Sequence, residues 1–169
     1  EQTTVIDWVK KLAAIYQQVK AAELDWPGVV LESLWVDEAG ELVMVDPVVT
    51  NKIIQYRPEI QWDVEKETLQ PPEILKNDSW TEESYVYAVG GLLYYLLTDQ
   101  LPFSTRNKED LHAEIKHVLP REPRLINEDI SSALNQLIMD CLQKDKEERI
   151  AELEKLAQQL IALENDNQL

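Results

Sequence analysis

The chain has little with which to hold a phosphate. Only four glycines occur in 169 residues, Gly28, Gly40, Gly90 and Gly91, and no Gly-x-Gly-x-x-Gly run is among them. No loop therefore lets a row of backbone N–H groups close on a nucleotide. Basic residues are scarce too: 16 Lys and Arg stand against 32 Asp and Glu, a net charge of -16. That balance argues against nucleic acid as a partner, because phosphate backbones are met by Lys and Arg clustered on one face. A single cysteine, Cys141, allows no internal disulfide. With no signal peptide and no membrane-spanning run, the expected setting is reducing and cytoplasmic. The two histidines, His112 and His117, stand five apart on one polar helix, unlike the i, i+4 pair of zinc proteases, and are expected at the surface. No Ser sits in a Gly-x-Ser-x-Gly context, and Cys141 falls on an apolar helix face. The sequence thus offers no catalytic constellation, metal site or cofactor site.

What is present is organised around Tyr85 to Leu97, thirteen uncharged residues in a chain that is 28% charged. A helix apolar all round must be buried all round. It is too short for a bilayer, which requires roughly 20 residues, so it predicts the central helix of a folded core, over about residues 84–98. Ser79 with Glu82 has capping-box spacing, Thr81 is a second candidate cap, and Asp99 to Pro102 ends the helix. With 44% apolar content, one domain over residues 1–164 is expected, with 165–169 a frayed tail. The chain opens on Glu1 rather than Met, which makes it an expected fragment of a longer protein.

In chain order, Val5, Val9, Leu12, Tyr16 and Val19 form a helical stripe that ends near Leu24. Trp26-Pro27-Gly28 breaks it, and the runs 34–36 and 42–45 flank a polar tip to predict a hairpin over about residues 34–45, the only strands expected. Residues 47–70 lack a sustained period and predict a long connection containing Tyr56 and Trp62. A polar helix follows over 107–118. An apolar one over 130–142 has Leu134, Leu137, Ile138 and Cys141 facing inward. The last helix is expected from about Lys146 to Leu163. Its Ile150, Leu153, Ala157 and Leu160 face the core, while Leu156 and Leu163 form a second stripe suited to self-association.

The order of these parts resembles the C-terminal lobe of a eukaryotic-like Ser/Thr protein kinase. Residues 26–48 lie over that family's catalytic loop, hairpin and metal-binding triplet, and Pro71-Pro72-Glu73 stands where its Ala-Pro-Glu belongs. Leu96 to Phe103 is similar to the Leu-Leu-Thr-Gly-x-x-Pro-Phe end of its buried helix. Cys141 to Arg149 is similar to its Cys-Leu-x-x-Asp-Pro-x-x-Arg stretch. The fold class this implies is mainly α, a kinase-like C-lobe with one short hairpin. The resemblance also implies that Glu73 and Arg149 form a buried ion pair joining the end of the activation segment to the last helix.

The same comparison removes the chemistry. A kinase needs an Asp to receive the substrate hydroxyl proton, with an Asn and an Asp on its metal ions. Gly28 occupies the position of the catalytic Asp, after Trp26 and Pro27. Val30 replaces the loop Lys and Ser33 the metal-binding Asn. Only Asp46 remains, followed by Pro47, and one carboxylate without phosphate-holding partners is a poor magnesium site, so Asp46 is vestigial. The expectation is a catalytically inactive, pseudokinase-like module serving protein interaction or regulation, its partner a protein or an adjacent domain. The alternatives are a residual phosphotransferase completed by an upstream lobe, or a structural spacer in a larger bacterial signalling protein. Tyr85 stands where the family's buried helix carries an Asp that holds the catalytic loop, and it is expected to pack against Trp26 and Val29. Trp26, Val30, Trp35 and Pro47 are then the candidate interaction surface.

Overall fold

The computed structural model describes residues 2–23, 34–40, 42–44, 68–105 and 107–166. Among them are five α-helices, α1 (Gln2–Ala21), α2 (Glu82–Thr98), α3 (Lys108–His117), α4 (Ser132–Cys141) and α5 (Leu153–Asn165), and one hairpin, β1 (Leu34–Val36) with β2 (Leu42–Met44). The architecture is mainly helical around a buried central helix, with a single small antiparallel sheet, as the resemblance implies.

Helix α2 is the hub. Every residue from Ser84 to Tyr94, together with Leu97 and Thr98, is buried, as an uncharged surface with no polar face requires. Helices α1, α4 and α5 all pack on it, and α1 packs in turn on α5. Helix α1 contributes Val5, Ile6, Val9, Leu12, Ala13 and Tyr16 to the core, and α4 contributes Leu134, Leu137, Ile138 and Cys141. Beneath α3 lies a separate small cluster of Phe103, Leu111 and Ile115. No helix among the described residues is long and apolar enough to cross a membrane.

Two close approaches hold α2 in place. Both its glycines face neighbours: a β-carbon on Gly90 would lie 2.4 Å from that of Cys141, and one on Gly91 would lie 2.8 Å from a δ-methyl of Leu69. Beyond Leu97, the Asn127 amide donates to the Leu97 carbonyl at 2.8 Å, satisfying an acceptor left open where the helix ends. The hairpin is tied to α1 by the Trp8 indole N–H, which donates to the Gly40 carbonyl at 3.1 Å. Its turn is an Asx type, with the Ala39 N–H on the Asp37 carboxylate at 2.9 Å, and Gly40 takes the left-handed φ of 83° that closes it.

Four local expectations change. The cap of α2 is Thr81, not Ser79: the Thr81 N–H donates to Ser84 Oγ at 3.2 Å, so Ser84 serves in the place expected of Glu82. Helix α1 stops at Ala21, ahead of Leu24. The last helix starts at Leu153, and Lys146–Glu148 is a separate 3-10 turn. The second stripe of α5 does not face outward, for Leu156 is fully buried and Leu163 packs against the core edge.

Candidate functional site

Glu73 and Arg149 come together as a buried, two-pronged ion pair. Arg149 Nη1 meets Glu73 Oε1 at 2.7 Å and Nη2 meets Oε2 at 2.9 Å, the parallel geometry that a planar guanidinium offers a carboxylate. The other three N–H donors of Arg149 go to carbonyls, of Gln143 at 2.7 Å, Glu83 at 3.1 Å and Lys144 at 3.2 Å. All five donors are used. Ser84 Oγ donates to Glu73 Oε1 at 2.7 Å, so one hydroxyl both caps α2 and binds the pair. The guanidinium also sits 4.9 Å from the centre of the Tyr87 ring.

Burial acts to raise the Glu73 pKa, but hydrogen bonds from Arg149, its own backbone N–H and Ser84 outweigh it and hold the carboxyl below its usual range. A lowered folded-state pKa gives stability that is complete above the unfolded value and is lost as pH falls through the folded one. The stability gap between the native protein and Glu73→Gln is therefore expected to narrow as pH drops from about 6 to about 3, in denaturation followed at a series of pH values. A gap constant over that range would show that Glu73 is not held as the anion.

Lys144, next to this pair, is a residue the sequence reading passed over. Its Nζ lies 4.3 Å from the Phe103 ring centre and 5.6 Å from that of Tyr87, and it donates to the Tyr87 hydroxyl at 3.4 Å. Burial, then the charge of Arg149, bring its pKa down to about 7, against a weaker opposing pull from Glu114. No motif could have announced it, because Phe103, Tyr87 and Arg149 come from three separate stretches of chain.

Of the expected interaction surface, Trp35 is described, and it is 47% exposed. It stands opposite Val43 in the hairpin, which is also exposed, as is Val36. Leu42, in contrast, is buried. Trp26, Val30 and Pro47 lie outside the described residues, as do Gly28, Pro27, Val29, Ser33 and Asp46. The contact expected between Tyr85 and Trp26 with Val29 lies outside them for the same reason. Within the described residues Tyr85 is buried between Tyr16, at 4.7 Å between ring centres, and Trp80, at 5.1 Å and stacked. This aromatic column joins α1 to the start of α2, and Trp80 had not been anticipated in it. Of the histidines, His117 is exposed and His112 half-buried on α3. Among the described residues no group of three or more His, Cys, Asp or Glu is placed to hold a metal.

Comparison with known proteins bears on the part of the chain that follows the hairpin. A family model described as "Protein kinase domain" matches residues 50–162. The chain is 29% identical over 85 residues to the serine/threonine-protein kinase PknD of Chlamydia abortus, a match covering 50% of this chain and 9% of that protein. It is 33% identical over 79 residues to a probable serine/threonine-protein kinase of Dictyostelium discoideum, covering 46% of this chain and 6% of that protein. The chain thus spans less than a tenth of the length of either relative.

Proposed function

The chain belongs to the protein kinase domain family, and from that premise we propose that it is a catalytically inactive kinase-like module that works by binding another protein or an adjacent domain. The feature that carries this reading is the make-up of residues 26–33, which resemble the loop that does the family's chemistry and precede the matched residues 50–162. With Gly28 in place of the general base, Val30 in place of the Lys and Ser33 in place of the Asn, the three positions that take the hydroxyl proton, offset phosphoryl charge and bind metal in the family carry no group able to do so. Phosphoryl transfer depends almost wholly on such positioning and charge stabilisation. Asp46 alone does not restore it.

Support for the binding half comes from the hairpin. Its outward side carries Trp35 and Val43, opposite one another and both exposed. A tryptophan in an exposed apolar patch is the kind of side chain that anchors protein interfaces. Trp26, Val30 and Pro47, the other residues of the expected surface, lie outside the described residues.

The test is calorimetry with Mg-ATP. No saturable heat is expected up to millimolar nucleotide, about the upper end of ordinary substrate constants. Micromolar binding that disappears in Asp46→Ala would overturn the reading in favour of a residual phosphotransferase, the activity named for the two relatives. For the binding half, Trp35→Ala is expected to weaken capture of a protein partner by tenfold or more, about 1.4 kcal/mol, with the melting transition unchanged. Unchanged capture would remove the hairpin as the site.

A further inference from the structure

Among the described residues the exposed large hydrophobic side chains gather in two places, with Ile161 on α5 standing apart. One is the hairpin, with Trp35, Val36 and Val43; the other is the stretch after α3, with Val118, Leu119 and Leu125, the last of them 62% exposed. That second stretch is fixed from within. Pro120 and Pro123 are buried, and the Arg124 N–H donates to Asn135 Oδ1 on α4 at 3.1 Å. Arg121 Nη2 donates to the Leu125 carbonyl at 2.8 Å, and Arg124 Nη1 to Ser132 Oγ at 2.5 Å. Among the described residues neither guanidinium meets a carboxylate.

The two patches are opposite in charge. From Lys116 to Leu125 stand three basic side chains, Lys116, Arg121 and Arg124, against one carboxylate, in a chain where acids outnumber bases two to one. That carboxylate, Glu122, accepts the Asn135 side-chain N–H at 3.3 Å. Glu128 and Asp129 come only after Asn127, whose amide turns back to the Leu97 carbonyl. On the hairpin, Trp35 and Val43 share one face, and Asp37 and Glu38 stand exposed at the tip. Asp37 also holds the turn.

We propose that the hairpin of one copy of this chain docks on residues 118–125 of a second copy, an inference that rests on the hairpin's role as a binding surface. Trp35 and Val43 of the one cover Leu125, Val118 and Leu119 of the other, and Glu38 meets Arg121 and Arg124. Burial of the apolar side chains supplies the attraction, and the opposite charges fix the register. Within one chain both patches stay exposed, so neither covers the other there. The net charge of -16 on each copy repels in general, but at physiological ionic strength charges more than about 8 Å apart are largely screened. Because the contact joins unlike surfaces, a hairpin and a patch are left open at the two ends, and assembly runs on into a ring or a row. With five apolar side chains the interface is small, which puts it among weak, transient contacts.

Sedimentation equilibrium of the 169-residue chain tests this. The average mass is expected to rise past that of a dimer as concentration climbs from about 10 μM to about 1 mM, the weak end of specific association. Trp35→Ala and Leu125→Glu, both at exposed positions, should each stay monomeric over that range and melt as the native chain does. Mixed in equal amounts, the two should form a heterodimer and nothing larger, because one keeps the patch and the other keeps the hairpin. Glu38→Lys should weaken association several-fold while leaving the turn to Asp37. A native chain still monomeric at about 1 mM overturns the inference but leaves the hairpin free for a different partner, which the Trp35→Ala capture assay decides separately. Association that survives Leu125→Glu but not Trp35→Ala is hairpin meeting hairpin, and it overturns the inference while keeping the hairpin as a binding surface. Association that survives Trp35→Ala places the contact elsewhere and overturns it too, as does a mixture of the two variants that fails to pair.

Discussion

Replacing Arg149 with Ala is expected to remove about 3 to 5 kcal/mol of stability, the usual cost of stranding one member of a buried ion pair. Such a loss is a large part of the roughly 5 to 15 kcal/mol that holds a domain folded. Arg149 is 7% exposed, as is Glu73, so the carboxylate left behind would keep only Ser84 and its own backbone as partners. Three carbonyls, of Gln143, Glu83 and Lys144, would lose a donor at the same time, and buried polar groups without partners add to the cost. Arg149→Lys should recover little, since an ammonium cannot present two parallel N–H bonds. A double replacement, Glu73→Leu with Arg149→Met, should cost less than Arg149→Ala alone because no charge is stranded. Urea denaturation of the three variants measures all of this. If Arg149→Ala shifts stability by less than about 1 kcal/mol, the pair behaves as a solvated one.

The second large effect belongs to Gly90. Its substitution by Ala would place a β-carbon 2.4 Å from the β-carbon of Cys141, and neither atom can move without its backbone. Helices α2 and α4 would have to separate along a fully buried seam in which Val89, Leu93, Leu134 and Ile138 also pack. Overpacking of this sort costs about 1 to 3 kcal/mol and sometimes more, while the gain in helix propensity from Gly to Ala returns at most about 1 kcal/mol. A net loss of about 1 to 2 kcal/mol is expected, and more if the two helices cannot separate. Gly91→Ala is the control, because its obstacle is the δ-methyl of Leu69, the end of a flexible side chain, and a loss within about 1 kcal/mol should follow. Thermal melts that rank the two variants the other way would show that the α2–α4 seam yields more easily than its geometry implies.

Those two sites differ in how far the sequence revealed them. The burial of α2 was legible without any comparison, because an uncharged run in a charged chain has only one place to go. Gly90 within that run carried no such message; its role depends on Cys141, 51 residues further along. Glu73 and Arg149 were legible only through the resemblance to kinases, since two charged residues in a chain rich in them announce nothing by spacing. The start of the last helix was misjudged for a related reason. Arg149 takes an extended backbone, φ -86° and ψ 169°, and this bend separates the Lys146–Glu148 turn from α5 and lets the guanidinium reach Glu73. Periodicity ran on through Ile150 because that residue still packs against the core. Lys144 stayed hidden altogether, since its low basicity is a property of partners gathered by the fold.

The packing of α1 against α5 carries a consequence for how the protein is made. Residues 2–21 leave the ribosome well before the helix they lean on, Leu153–Asn165, and the cross-link from Lys10 to Glu164 at 2.6 Å cannot form until that helix has emerged. Contacts between such distant stretches slow folding, because a long loop must close before they begin to stabilise anything. In the interval the stripe of Val5, Ile6, Val9 and Leu12 has α2 to lean on but not α5, at the translation rate of about 5 to 20 residues per second for tens of seconds at most. Until α5 arrives, the nascent chain is open to chaperones and to aggregation.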